Sequence, residues 1–94
     1  MNYGLEFRPR AWKVWQKLDP ALRAQFLDKL EERLDNSKVP ASRLHGMPDC
    51  YKIELRAKGY RLVYQVKDEV LVVLVLTIGK RDGDVYDVAK KEKQ

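Results

Sequence analysis

Hydrophobic and polar residues alternate through residues 51–56 and again through residues 60–66, with a short polar turn between the two stretches. Tyr51, Ile53 and Leu55 are the apolar positions of the first stretch, and charged residues stand between them. Because successive side chains of a strand point to opposite faces, each stretch predicts a strand with one apolar and one polar face. The short turn predicts that the two strands are antiparallel neighbours.

A longer apolar run follows at Val70–Ile78, and it shows no alternation. Such a run is typical of a strand that is buried on both faces and lies at the centre of a sheet. Near the start of the chain, Asn2–Phe7 alternates loosely and predicts a first strand. The sequence therefore predicts a sheet of about four strands.

Two helices are predicted between the first strand and the others. Pro9 opens an amphipathic helix that ends near Leu18, and Asp19-Pro20 is an N-cap signal for a second helix that ends near Leu34. Their short connection predicts an antiparallel helical hairpin packed on the sheet. The apolar positions of both helices are expected in the core: Ala11, Trp12, Val14, Trp15, Leu18, Leu22, Phe26, Leu27, Leu30 and Leu34.

The end of the chain predicts one more helix. A turn at Asp82–Asp84 precedes Val85–Lys91, which has weak helical character and a basic end that we expect to fray. The element order is then β-α-α-β-β-β-α, which describes one α+β domain over residues 1–94. We expect a small antiparallel sheet of about four strands packed on an N-terminal helical hairpin, with a short C-terminal helix.

Charge narrows the choice of partners. The chain has 19 Lys and Arg residues against 14 Asp and Glu, which gives a net charge of +5 and favours a polyanionic partner such as RNA, DNA or an acidic protein. With Cys50 as its one cysteine and His45 as its one histidine, the chain cannot form an internal disulfide, and we expect no metal site and no cofactor. No apolar run approaches the ~20 residues of a membrane span, and the N-terminus does not resemble a signal peptide. We therefore expect a cytoplasmic protein with no membrane contact.

The polar sides and ends of the last three strands carry charges that folding could gather into one patch. These residues are Lys52, Glu54, Arg56, Arg61, Lys80 and Arg81. Fixed cations suit phosphate, to which Arg can donate two hydrogen bonds at once. The alternative is that the charges only solvate the outer face of the sheet, and the pattern alone favours that interpretation. Tyr86 can stack on an unpaired base beside such cations, although taken alone it is better explained as an anchor for the last helix.

Glu54 lies between Lys52 and Arg56 in the sequence, so both neighbours are expected to lower the pKa of its carboxyl group. It is either a salt-bridged spacer or a general base that is already ionised at neutral pH. The sequence has no Ser-His-Asp order, P-loop, glycine-rich dinucleotide turn or metal-ligand cluster. Chemistry that Lys, Arg, Glu and Tyr can support includes RNA cleavage, in which the 2′-hydroxyl attacks the adjacent phosphate and the protein aligns and stabilises the reacting groups.

Four segments resemble the RelE toxins: Leu44–Arg56, Gly59–Val66, Val75–Arg81 and Val85-Tyr86. With the helical hairpin, the resemblance covers nearly the whole chain. It implies the toxin of a type II toxin–antitoxin system, a metal-independent endoribonuclease that cuts mRNA in the A site of the 70S ribosome. It also implies contact with ribosomal RNA and inhibition by a RelB-type antitoxin, with DNA reached only indirectly through that antitoxin.

The resemblance also implies roles for single residues. Lys52, Arg61 and Arg81 match the catalytic basic residues of the family, and Tyr86 matches the aromatic that stacks on the mRNA base, although the loop before it is one residue shorter here. Glu54 stands where the family has a second catalytic lysine, and it is either the general base or a replacement that blunts toxicity. RNA-binding roles are implied for five further residues: Lys13, Lys17, His45, Arg56 and Lys80.

Two other functions remain open. A toxin of the similarly folded ParE kind inhibits gyrase by protein contact and does not need Lys52, Arg61, Arg81 and Tyr86 together. The chain could also be a catalytically weakened RelE homologue that keeps only its affinity for an antitoxin.

Overall fold

A computed structural model describes residues 3–81 and 83–94. Its strands and helices are β1 (Gly4–Phe7), α1 (Pro9–Lys17), α2 (Pro20–Asp35), β2 (Cys50–Leu55), β3 (Tyr60–Lys67), β4 (Val72–Lys80) and α3 (Val85–Glu92). Short 3-10 turns at Pro40–Ser42 and Arg56–Lys58 flank β2. The predicted element order is confirmed, while Asn2 of the predicted first strand and Asp82 of the predicted turn lie outside the described residues.

The four strands form one sheet in the order β1-β4-β3-β2. β2, β3 and β4 are antiparallel neighbours, as predicted, whereas β1 runs parallel to β4. The expectation of a wholly antiparallel sheet is therefore wrong for β1. No tight turn connects β1 to β4, so the direction of β1 is set by pairing, including a hydrogen bond from the Arg8 N–H to the Val75 carbonyl (2.9 Å).

The strand predicted to be central does lie between two others, but it begins at Val72 rather than Val70. Val70 and Leu71 belong to the turn after β3, and both are more than half exposed. Leu71 has a positive φ of 54°, a conformation that a strand does not accept. The apolar run is thus longer than the strand it forms.

The helical hairpin covers one face of the sheet and forms the larger core. Asp19 caps α2 by accepting a hydrogen bond from the Ala21 N–H (3.1 Å), as the sequence predicts. Trp15 is buried, but Trp12 is 46% exposed and packs edge-on against Phe7. Val14 and Leu27 are also exposed, so the prediction that these three residues are core is wrong. They flank a buried stripe that is narrower than the apolar face of each helix.

α3 covers the opposite face and closes a second, smaller core around Cys50, Val63 and Leu76. The end of the chain is attached to the sheet rather than frayed. The Gln94 N–H donates to the Gln65 side-chain oxygen (2.9 Å), and the Gln65 amide donates back to the Gln94 carbonyl (2.6 Å). The expected fraying of this end is therefore not observed.

A bulge in β4 decides which side chains reach the α3 face. Val63 pairs with Thr77 and the next residue, Tyr64, pairs with Val75, so Leu76 is the extra residue. An extra residue reverses the alternation beyond it. Leu76 lies in the α3 core while Ile78 lies in the hairpin core, and Gly79 consequently faces α3.

Candidate active site

Lys52, Glu54 and Arg61 meet on the α3 face of the sheet, where β2 pairs with β3. Glu54 and Arg61 are direct partners in the antiparallel register, and Lys52 is two residues from Glu54 on the same face. The Lys52 ammonium lies 2.9 Å from Glu54 Oε1, and the Arg61 guanidinium contacts Oε2 at 3.1 Å. All three side chains are less than a third exposed. One carboxylate thus holds two partly desolvated cations side by side.

Tyr86 joins this group from α3, where it is the second residue. Arg61 donates a hydrogen bond to the Tyr86 hydroxyl (2.9 Å), and its guanidinium carbon lies 5.5 Å from the centre of the ring. The cation–π contact and the hydrogen bond fix the aromatic ring beside the cations. We call Lys52, Glu54, Arg61 and Tyr86 the β2–β3 cluster.

Gly79 allows Tyr86 to reach the sheet. It is the register partner of Arg61 in β4, and a Cβ added there would lie 2.9 Å from Val85 Cγ2. Real Cβ atoms do not approach other atoms so closely, so a larger residue at Gly79 would force Val85, the first residue of α3, to shift. The sequence analysis did not identify Gly79, because the contact that requires glycine is between residues of different elements.

The cluster sets the ionisation of its carboxylate. Hydrogen bonding from Lys52, with further attraction from Lys52, Arg61 and Arg56, lowers the pKa of Glu54 below its ordinary value despite partial burial. The predicted direction of this pKa shift is confirmed: Lys52 is its main cause, and Arg61 and Arg56 add to it. Glu54 is therefore ionised at neutral pH and can accept a proton.

Lys80 is the last residue of β4 and pairs with Tyr60, the neighbour of Arg61 in β3, and Arg81 follows it directly. Lys80 and Arg81 line a pocket of about 320 Å³ together with Lys58 and Gly59. A hydrogen bond from the Arg81 N–H to the Gly59 carbonyl (2.7 Å) fixes the backbone of Arg81 against the turn before β3. Both side chains are exposed, so they add positive charge at the edge of the site without entering the contacts of the cluster.

The remaining candidate residues are dispersed. Arg56 is exposed in the turn after β2, close enough to lower the pKa of Glu54. His45 is exposed in the loop before β2, and the described contacts do not connect it to the cluster. Lys13 and Lys17 are exposed on α1, in the layer on the other side of the sheet. The fold therefore gathers one group of cations and leaves another on the opposite surface.

Among residues 3–81 and 83–94, no group of histidine, cysteine or acidic residues has the geometry to hold a metal ion. In the same residues, no helix is long and apolar enough to cross a membrane.

Comparison with known proteins places the chain among bacterial toxins. Residues 5–85 match the model for the ParE toxin of the type II toxin–antitoxin system parDE. The mRNA interferase toxin RelE of Escherichia coli K12 is 52% identical over 92 residues, which is 97% of each chain. The free structure of an E. coli RelE mutant superposes with a TM-score of 0.92 at 49% identity over the full length of both chains. RelE in the intact E. coli RelBE toxin–antitoxin complex superposes with a TM-score of 0.83 at 52% identity, covering 86% of this chain and 99% of RelE.

Proposed function

Because the chain belongs to the ParE toxin family and is a homologue of the RelE toxins, we propose that it is a ribosome-dependent endoribonuclease that cleaves mRNA in the A site. The observation that carries this proposal is the β2–β3 cluster, in which two cations, a carboxylate and an aromatic ring converge on one face. The protein is then the toxin of a type II toxin–antitoxin system, acts in the cytoplasm, and inhibits translation.

The proposed reaction uses the RNA's own 2′-hydroxyl as the nucleophile. The 2′-oxygen gives up its proton to a base and forms a bond to the adjacent phosphorus while the bond to the 5′-oxygen breaks. The 5′-oxygen takes a proton from solvent water, and the 5′ fragment ends in a 2′,3′-cyclic phosphate. Lys52 and Arg61 bind the scissile phosphate and stabilise the charge of the transition state. Tyr86 stacks on the base and orients the 2′-hydroxyl. Arg81 stabilises the developing charge on phosphate or leaving oxygen, since a guanidinium group holds its proton too tightly to be a good donor.

Glu54 is the proposed base that accepts the proton of the 2′-hydroxyl. In the free protein its two oxygens are occupied by Lys52 and Arg61. A phosphate that attracts both cations would weaken these contacts and raise the proton affinity of the carboxylate at the moment when it is needed. The competing hypothesis is that Glu54 replaces a catalytic lysine and lowers activity by neutralising the two cations.

The proposed partners follow from the charge on both faces. The mRNA in the A site meets the β2–β3 cluster, while exposed basic residues such as Lys13 and Lys17 on α1 contact ribosomal RNA. A RelB-type antitoxin is the proposed inhibitor, because RelE of E. coli forms such a complex. Contact with DNA is indirect, through the antitoxin.

Inhibition of gyrase is the second candidate, because the matching family model describes a ParE toxin. Two assays on the purified protein separate the candidates: primer extension on a defined mRNA carried by ribosomes, and gyrase supercoiling of plasmid DNA. We expect cleavage at the A-site codon, a loss of cleavage of at least 100-fold in Arg61→Ala, and unchanged supercoiling. Inhibited supercoiling without mRNA cleavage would establish the gyrase function instead. If the protein neither cleaves mRNA nor inhibits supercoiling, it is an inactive homologue that only binds an antitoxin.

A further inference from the structure

A second cationic site lies next to the β2–β3 cluster, along the outer edge of β2. It is a groove of about 290 Å³ between the C-terminal half of α2, the 3-10 turn Pro40–Ser42 and the edge of the sheet. Its polar lining residues are Lys29, Arg33, Ser42, Lys52, Glu54 and Arg56. We call it the α2–β2 groove.

Arg33 forms the fixed centre of this groove. Its guanidinium donates to the Tyr64 hydroxyl (2.8 Å), the Ser42 hydroxyl (3.1 Å) and the Lys52 carbonyl (3.4 Å). The fully buried Tyr64 donates in turn to the Ser37 carbonyl (2.7 Å), so its hydroxyl oxygen is oriented to accept from Arg33. All three acceptors of Arg33 are uncharged. These bonds hold the guanidinium in place, but they do not neutralise it.

The charge balance of the α2–β2 groove favours an anion. Lys29, Arg33, Lys52 and Arg56 contribute four positive charges, against the single carboxylate of Glu54. Both oxygens of that carboxylate are already engaged, one with Lys52 and the other with Arg61 in the β2–β3 cluster. A preorganised arginine in a lining with an excess of positive charge is the arrangement that binds phosphate oxygens.

The shape of the groove indicates a strand rather than a small anion. Lys52 and Leu55 are three residues apart on β2, which corresponds to roughly 10 Å of extended chain, and Arg56 follows at the start of the 3-10 turn. This span exceeds one phosphate group. Lys52 and Glu54 also belong to the β2–β3 cluster, so the groove is continuous with the proposed site of cleavage.

We propose that the α2–β2 groove binds a phosphodiester of the RNA strand next to the scissile phosphate, with Arg33, Lys29 and Arg56 as its contacts. The proposal rests on the proposed function, because it makes the groove an extension of the same substrate site. The groove supplies affinity and register for the strand, and the β2–β3 cluster supplies the chemistry.

Binding of a single-stranded RNA oligonucleotide to the purified protein, followed by fluorescence anisotropy over a range of salt concentrations, tests the proposal without requiring cleavage. Lys29 and Arg56 are exposed, so the variant Lys29→Glu/Arg56→Glu should fold normally, which its thermal melt checks. Lys90→Glu/Lys91→Glu, at the exposed end of α3, is the control with the same change in net charge.

We expect the groove variant to bind RNA at least tenfold more weakly. Its dependence of log affinity on log salt should also be shallower, by about 0.7 for each phosphate that the protein no longer neutralises. The control should change affinity less than threefold. Equally weakened binding in both variants would overturn the groove as a site, because it would reflect net charge alone.

Neutral methylphosphonate linkages identify which RNA supplies the phosphate. If the linkage next to the cleavage position is neutralised in the oligonucleotide, the penalty of the groove variant should disappear. A penalty seen only on ribosomes, and not with free RNA, would overturn the assignment to the substrate strand and place ribosomal RNA in the groove. Parent protein that binds RNA through the groove but never cuts mRNA on ribosomes would refute the proposed function and leave the groove intact.

Discussion

Glu54 is the residue on which the proposed chemistry depends most. It holds Lys52 and Arg61 together in the free protein, and it is the only carboxylate in the described β2–β3 cluster. If it is the base, Glu54→Gln should lower the single-turnover cleavage rate on ribosomes by about 100-fold, the lower range for a general base. Glu69→Gln, in an exposed turn, is the matched control. Undiminished cleavage by Glu54→Gln would remove Glu54 from the mechanism, and strongly increased cleavage by Glu54→Lys would support the competing hypothesis.

The lowered pKa of Glu54 also predicts a pH dependence of stability. A carboxyl group whose pKa is lower in the folded protein than in the unfolded chain stabilises the fold above its unfolded pKa, and this contribution is lost as pH falls through the folded pKa. Urea unfolding should therefore show that the parent exceeds Glu54→Gln in stability at pH 7, and that the difference shrinks as the pH falls below about 4.3. A difference that is constant or grows with acidification would contradict the ion pairs described here.

Two substitutions of Tyr86 separate the contribution of base stacking from that of the hydrogen bond to Arg61. Tyr86→Phe removes the hydroxyl that accepts from Arg61 and should cost about tenfold in cleavage rate at most, whereas Tyr86→Ala removes the ring and should cost about 10- to 100-fold, the value of one stacked base. Single-turnover cleavage on programmed ribosomes measures both. Equal rates for Tyr86→Ala and the parent would show that the ring only anchors α3.

At the scale of elements, the contact between β4 and α3 positions the aromatic side of the site. Gly79→Ala should reduce the free energy of unfolding by about 1–3 kcal/mol and reduce cleavage, because its Cβ would meet Val85 Cγ2 at 2.9 Å. Thermal and urea unfolding with the cleavage assay measure the two effects. The second substitution Val85→Ala in the same chain should restore part of the cleavage by removing the contacting methyl group.

Gly4→Ala is the control for this experiment, since a Cβ on Gly4 would have an ordinary contact of 3.9 Å with the Leu71 carbonyl. If Gly79→Ala and Gly4→Ala have the same effect on cleavage, the close approach of α3 does not position Tyr86. If adding Val85→Ala to Gly79→Ala restores the stability fully but recovers no cleavage, the close approach of α3 likewise does not position Tyr86.

The element pattern of this fold was accessible from the sequence, while details of direction and exposure were not. Alternation identified β2 and β3, and the signal at Asp19-Pro20 identified the start of α2, because these features depend on neighbouring residues. The parallel direction of β1 and the bulge at Leu76 depend on pairing between distant segments. Trp12 is exposed because the hairpin buries only part of each helix, which its helical spacing could not indicate.

In the candidate site too, features that depend on neighbouring residues were predicted, and features that depend on contacts between distant elements were not. Lys52, Glu54 and Arg61 were predicted together, since strand alternation places them on one face. Gly79 was missed because its role is a contact with α3, and Arg33 because the off-stripe face of α2 gives no sign that it turns toward the buried Tyr64. Local pattern thus places these charges on one face of the sheet, the family resemblance suggests their chemistry, and tertiary packing determines the groove beside them.

At the scale of the whole molecule, the sheet separates two basic surfaces. The β2–β3 cluster is on the face covered by α3, and Lys13 and Lys17 are on the side of the sheet covered by α1 and α2. Lys13→Ala/Lys17→Ala should therefore weaken ribosome binding, with a shallower salt dependence, but leave the cleavage rate at saturating protein within about twofold of the parent. Binding and single-turnover assays over a range of protein concentrations separate the two quantities. A lower cleavage rate at saturating protein would mean that Lys13 or Lys17 takes part in the chemistry.

The central claim is that the β2–β3 cluster cuts mRNA by using the RNA's own 2′-hydroxyl. The most direct measurement adds the purified protein to ribosomes that carry either an all-ribose mRNA or one with a single 2′-deoxy nucleotide at the cleavage position in the A site. The account predicts that the ribose mRNA is cut to a fragment ending in a 2′,3′-cyclic phosphate and that the 2′-deoxy mRNA is not cut. Equal cleavage of both mRNAs, or cleavage of neither, would contradict it.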